Sequence, residues 1–161
     1  MTNGLAAHDL SPNDLINAEL VDLDVAAADR YEVTRGLAAR MEKTGRVTDL
    51  ETFLGDVRAR EEQMPTGLEG GIGIPHARST AVTAATLGFA RSADGVDWGA
   101  PDGPAHLIFL IAAPAGGSSE HMTILAALAR RLVRPAFKQA LHDATSPDDV
   151  VALINKEVLG R

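Results

Sequence analysis

The apolar positions change spacing along this chain, and the changes mark its elements. Residues 20–25 alternate, with Leu20, Asp22 and Asp24 set against Val21, Leu23 and Val25. That is strand period. Before them, Ser11-Pro12-Asn13-Asp14 reads as the start of a short helix over 11–17, and residues 1–10 as a loose leader. From 28 to 43 the spacing becomes helical, with Tyr31, Val33, Leu37, Ala38 and Met41 on one stripe and Gly45 as the stop. Thr48-Asp49-Leu50-Glu51 reads as a capping box, the Glu three residues after the Thr. The helix it opens carries Leu50, Phe53, Leu54 and Val57 and runs to about Arg60 or Gln63, short of Pro65.

A turn-rich block, 65–73, leads to Ile72, Ile74, Pro75 and His76. Two strands are expected next, over 84–91 and 106–113, with turn signals at Asp94-Gly95 and Asp102-Gly103 and a short extended piece at 96–98. His-Leu-Ile-Phe-Leu-Ile-Ala-Ala is continuously apolar after its first residue, as a strand buried on both faces is. Three helices are expected to close the chain. The first is capped by Ser118 or Ser119 and ends at Val133, the second spans 135–144, and the third opens at Ser146-Pro147-Asp148-Asp149. Residues 11–161 thus read as one α/β domain with a central β-sheet covered by helices. The sheet is expected to be mixed, because short turns join its middle strands.

Composition narrows the chemistry. The chain has 161 residues, no cysteine and a formal net charge of −7. Disulfides, thiolate metal sites and a cysteine nucleophile are therefore excluded. With no Lys/Arg cluster and few aromatics, nucleic-acid binding is a poor fit. The longest apolar runs fall far short of the roughly 20 residues of a membrane-spanning helix, and no secretory leader is visible. The chain reads as soluble and intracellular.

The five histidines are then the side chains suited to nucleophilic or proton-transfer work near neutral pH. His8 lies in the leader and reads as incidental. His142 lies near a helix C-terminus, where a cation suits the helix dipole. His106 opens an apolar strand and reads as an edge residue with a small part in shaping a site. His76 ends a glycine-rich entry, Gly70-Gly71-Ile72-Gly73-Ile74-Pro75-His76. Glycines admit close approach, and Pro75 stiffens the backbone before the ring. His121 falls in the first turn of a helix, where free N–H groups favour an anion. On spacing alone it reads first as a surface residue on an amphipathic helix. Arg60 suits a phosphate, yet from the residues alone Arg58-Ala59-Arg60-Glu61-Glu62 reads as a solvated helix face. No Asp/His spacing beside His76 or His121 calls for a metal, and no cofactor is expected.

Two stretches taken together resemble one family. Arg60-Glu61-Glu62-Gln63-Met64-Pro65-Thr66-Gly67, followed by Gly70 to His76, resembles the phosphorylation-site region of the fructose/mannitol-type enzyme IIA of sugar phosphotransferase systems. Leu107–Pro114 and then Glu120-His121 resemble that family's apolar strand and second histidine. The likeness covers about residues 15–155 and is nearer the fructose branch. Gly73 stands where the family usually has Ala, a departure expected only to loosen the backbone.

The resemblance implies an α/β sandwich with a mixed sheet. It implies that His76 takes a phosphoryl group from the phosphocarrier HPr, as tele-phosphohistidine, and passes it to a cysteine of enzyme IIB. The membrane subunit IIC is then reached only through IIB. It implies that His121 is the second active-site histidine and that Arg60 lies near the phosphate. Alternatives are a regulatory nitrogen-type enzyme IIA, which binds kinases or transporters according to its phosphorylation state, and an interaction module without phosphoryl transfer. A histidine-based metal hydrolase is a remote third.

Overall fold

The computed structural model describes residues 14–26, 29–116 and 120–160, with Glu120 and His121 described in backbone only. The expected leader, residues 1–10, lies outside them.

The elements run β1 (Val21–Asp22), α1 (Arg30–Lys43), α2 (Leu50–Gln63), β2 (Gly67–Leu68), β3 (Ile72–Gly73), β4 (His76–Ser79), β5 (Thr86–Val96), β6 (Ala105–Pro114), α3 (Glu120–Leu132), α4 (Pro135–Asp143) and α5 (Pro147–Glu157). One six-stranded sheet has the order β1-β5-β6-β3-β2, with β4 also on β6. It is mixed, as expected: β5 is antiparallel to β6, whereas β3 and β4 lie parallel to it one after the other. Helix α1 packs on β5, α2 on β4 and α3 on β6.

The expected continuous apolar strand is β6, whose residues Leu107 to Leu110 are fully buried. It is the central strand, paired on both edges, so both of its faces meet core. Phe89 and Phe109 face each other in the β5–β6 register with ring centroids 5.0 Å apart.

Four local expectations are corrected. Residues 14–17 are not helical; the Leu15 carbonyl accepts from the Leu87 amide, and a 3-10 turn follows at 18–20. The strand expected over 20–25 is in ladder register only at Val21–Asp22; the Asp22 carboxylate accepts the Asp24 amide and interrupts the ladder, and the Val25 amide then donates to the Arg91 carbonyl of β5. Thr48 does not cap α2. Its amide and hydroxyl both donate to the Ala81 carbonyl, and Asp49 is the cap, accepting from the Thr52 amide and hydroxyl. Asp is as good a cap as Ser and better than Thr, so Thr48 is left to tie the helix start to the segment after β4. Tyr31 is not on the core stripe; it is 37% exposed and its ring lies under the Arg58 guanidinium. The other helix limits follow the sequence reading closely, and Ser146 caps α5 through the Asp149 amide as expected.

Candidate functional site

The glycine-rich segment does not form one strand. Residues 72–73 pair with Leu107 and Ile108, and residues 76–79 pair with Ile111 to Pro114. Ile74 and Pro75 interrupt the ladder between them. Pro75 has no N–H to give, though its carbonyl accepts from the Ile111 amide. The Ile74 amide turns the other way and donates to the Thr66 carbonyl at 3.1 Å. His76 therefore opens β4 rather than ending a strand, and it sits half-buried at the break.

Its ring is held from one side. Nδ1 lies 2.9 Å from the Ile74 carbonyl oxygen. A carbonyl only accepts, so Nδ1 carries the proton of that bond. In the neutral ring this leaves the lone pair on Nε2.

His121 is the second residue of α3, which follows β6 after the 115–119 segment. The backbone therefore brings the start of α3 to the C-terminal end of β6, near the strand positions that pair with β4. The side chain of His121 and the serines expected to cap α3 lie outside the described residues. Arg60 is in the last turn of α2 and donates to the Met64 carbonyl at 2.9 Å, closing the end of its own helix.

The expectation that Arg58 to Glu62 form a solvated face fails at Glu61, which is 4% exposed. Its carboxylate accepts from the Thr66 amide at 2.7 Å and the Thr66 hydroxyl at 2.6 Å, and Arg30 adds a contact at 3.3 Å. Trp98, fully buried, donates its indole N–H to the same Thr66 hydroxyl oxygen at 3.2 Å. This polar knot sits directly behind the histidine segment. A signal for it is present in the sequence: Phe53, Val57 and Glu61 follow at intervals of four, so Glu61 continues the buried stripe. Trp98 and Arg30 carry no such signal.

Gly73 also needs correction. A Cβ there would lie 2.7 and 2.9 Å from the Trp98 ring. The residue does not merely loosen the backbone; it makes room for the indole.

The other histidines are elsewhere. His106 pairs through Nδ1 with the Ser92 carbonyl at the opposite end of β6. His142 lies in the last turn of α4 as expected, but the donor to the helix-end carbonyls comes from another element. Arg91 takes that place, donating to the carbonyls of Leu141, His142 and Ala144. Burial, followed by the positive fields of His106 and Arg91, pushes the His142 imidazole below its ordinary 6.5. The folded state thus takes up this proton less readily than the unfolded chain. Stability is then full at high pH and falls as pH drops through about 6.5 towards the folded value. Asp49 and Asp149 are depressed by their cap and turn hydrogen bonds, so they release stability only at lower pH. Urea midpoints should therefore fall between pH 8 and pH 5 by more in the wild type than in His142→Asn. An equal fall in both would remove His142 as the cause.

Among the described residues, no three His, Asp or Glu side chains gather as a metal site, and no helix is long and apolar enough to cross a membrane.

Known proteins resemble this chain along most of its length. The fructose-specific EIIA component of Haloferax volcanii is 39% identical over 133 residues, covering 82% of this chain and 86% of that protein. The fructose-specific EIIABC component of Bacillus subtilis is 33% identical over 144 residues, but the chain spans only 23% of its length. Among solved structures, the nitrogen regulatory protein IIA-Ntr of Neisseria meningitidis superposes with a TM-score of 0.80 at 27% identity, over 87% of this chain and 96% of that one. The Escherichia coli complex of mannitol enzyme IIA with phosphorylated mannitol enzyme IIB gives 0.74 at 27%, over 91% and 98%. The family model for the phosphoenolpyruvate-dependent sugar phosphotransferase system, EIIA 2, matches residues 14–157. With that match taking in every strand and helix of the fold, the chain belongs to the EIIA 2 family of the sugar phosphotransferase system, whose members are phosphotransferases.

Proposed function

We propose that this chain carries a phosphoryl group on Nε2 of His76, taking it from a phosphohistidine of HPr and giving it to a cysteine of enzyme IIB in the cytoplasm. The observation that carries the proposal is the 2.9 Å bond from Nδ1 to the Ile74 carbonyl. It makes Nε2 the nucleophile by holding the proton on the other nitrogen. In the first step the Nε2 lone pair bonds to phosphorus, the P–N bond of the donor breaks, and its electron pair returns to the donor imidazole. The His76 ring then keeps its Nδ1 proton and becomes cationic, and the Ile74 carbonyl stabilises that charge. In the second step the sulfur of a IIB thiolate attacks phosphorus, and the electron pair of the new P–N bond returns to Nε2. Phosphoryl transfer of this kind asks mainly for positioning and charge stabilisation. The start of α3, with His121 as its second residue, offers backbone N–H groups suited to the equatorial oxygens. Arg60 would join them by leaving the Met64 carbonyl when phosphate or a partner arrives.

The fructose-named relatives support a fructose-type sugar, and the EIIABC relative and the mannitol IIA–IIB complex support a IIB partner, with IIC served through IIB. The fructose-named relatives favour this reading over the regulatory, nitrogen-type one. The test is single-turnover transfer in both directions: from phospho-HPr, charged by phosphoenolpyruvate and enzyme I, and onward to IIB. Wild type should complete both steps. His121→Ala should still accept the group but pass it on more slowly, with His121→Gln between the two because its amide can donate. Wild-type rates in both directions for His121→Ala would leave that histidine a surface residue. Acceptance without onward transfer to any IIB domain would favour the regulatory reading.

A further inference from the structure

The His76 ring is oriented by a carbonyl that the sheet itself does not hold. Ile74 falls in the gap between the β3–β6 and β4–β6 ladders and is in neither register, although β6 takes hold again at the Pro75 carbonyl, which accepts the Ile111 amide. The Thr66 carbonyl accepts the Ile74 amide at 3.1 Å and so holds the Gly73–Ile74 peptide, next to the one that carries the Ile74 carbonyl. Thr66 in turn precedes β2 and is gripped by Glu61 at both its amide and its hydroxyl. We propose that Glu61 is a positioning residue for His76, acting through Thr66 and Ile74 to set the direction of the ring and the nitrogen that bears its proton. The proposal rests on His76 being the phosphoryl acceptor, and it deepens that reading.

Three features separate this from ordinary core packing. A carboxylate is a poor choice for a buried stripe position, because burying it is costly unless donors surround it. Here they do: the Thr66 amide and hydroxyl and the Arg30 guanidinium. Such charge-assisted bonds are short and directional, which an apolar side chain at 61 would not reproduce. The Trp98 indole N–H also converges on the Thr66 hydroxyl oxygen, so the hydroxyl proton is left pointing at Glu61. Lastly, the path from the Glu61 carboxylate to the ring is three hydrogen bonds joined through the short backbone of Thr66 and Ile74: Thr66 to Glu61, Ile74 to Thr66, and His76 to Ile74. A displacement of Thr66 moves the Gly73–Ile74 peptide, which shares the Ile74 Cα with the peptide whose carbonyl holds the ring.

The consequence is chemical. If the Ile74 carbonyl turns away, Nδ1 loses its acceptor and the ring is free to place its proton on Nε2, where it blocks attack on phosphorus. The side chain at 61 therefore controls the fraction of His76 that is competent as well as its aim.

The test uses Glu61→Gln and Glu61→Asp in the full chain, with folding checked by amide spectra. Gln keeps the length and one acceptor; Asp keeps the charge but falls short by one methylene. The His76 ring nitrogens are read by 15N NMR without any phosphoryl donor, and single-turnover acceptance from phospho-HPr is read separately. A positioning role predicts the order wild type, Gln, Asp, both in Nδ1–H population and in rate, with Asp slower by on the order of 100-fold. A wild-type tautomer in both variants, or a wild-type rate in both, overturns the proposal. If Asp does not fold, the near-isosteric Gln variant decides alone. The NMR readout also keeps the two readings apart: were His76→Ala still to accept phosphate, the acceptor assignment would fail while the tautomer shift stayed measurable.

Discussion

His76→Ala is expected to take up no phosphoryl group from phospho-HPr while keeping the wild-type fold. The ring is half-buried at the break between β3 and β4, and its one described hydrogen bond runs to the Ile74 carbonyl. Removing it leaves that carbonyl without this donor, a loss of about 1 kcal/mol for a partly exposed group. That is small beside the roughly 5–15 kcal/mol by which such domains are stable. Chemically the loss is complete, because no water or neighbouring amide substitutes for an imidazole nitrogen that must both accept the group and surrender it. The measurement is acid-labile label retained after incubation with phosphoenolpyruvate, enzyme I and HPr, alongside a urea melt. Retained label at the wild-type level in a folded His76→Ala protein would sink the assignment. Label at a lower level that vanishes only in a His76→Ala/His121→Ala double variant would move the acceptor to the second histidine.

The second large effect is expected at a residue with no chemistry of its own. Gly73→Ala should destabilise the fold, although glycine in a strand is normally a weak point. Two effects oppose each other. Ala restricts the unfolded chain, which stabilises by about 0.4–1 kcal/mol where the backbone allows it. Its methyl, however, would lie within 3 Å of the Trp98 ring, which is fully buried and bonded to Thr66. Overpacking of that kind costs about 1–3 kcal/mol, so the clash wins. The two residues should be strongly coupled. Trp98→Leu alone should cost on the order of 3 kcal/mol through lost burial, but in that background Gly73→Ala should cost nothing or stabilise. A double-mutant cycle from urea denaturation reads the coupling directly. Additive effects would show that the glycine is not there to admit the indole. Because Trp98 bonds the same Thr66 hydroxyl that Glu61 holds, Gly73→Ala should also slow phosphoryl acceptance.

Much of this molecule is legible in its sequence, and the reason is local. Periodicity marks α1, α2, β5 and β6 because each buries one face, or in β6 both faces, against a continuous core. Ser146 followed by Pro147 and two aspartates marks the start of α5 because capping uses only atoms a few residues apart. The glycine-proline run before His76 marks an irregular backbone for the same reason. The resemblance to enzyme IIA rests on such short-range strings, and the family match over residues 14–157 bears it out.

What the sequence left open depends on partners far along the chain. Whether Thr48 or Asp49 caps α2 is settled by the Ala81 carbonyl, 33 residues away, which claims Thr48. Whether positive charge at the end of α4 comes from His142 or from another residue is settled by Arg91, about 50 residues earlier. Whether Gly73 is slack or necessary is settled by Trp98, which no local rule connects to it. Glu61 lies between the two cases: its place on the Phe53–Val57 stripe is readable, but the donors that make burial of a carboxylate tolerable come from Thr66 and Arg30. By itself the sequence determined where the main helices and the two long strands lie, which histidine has an unusual backbone before it, and which family the chain resembles, because those properties are written in neighbouring residues; the short strands β2, β3 and β4 depend on pairing with distant residues. Only the tertiary structure decided which nitrogen of His76 holds the proton and what holds the ring, because that needs a carbonyl aimed by Thr66 across the break between two strand ladders.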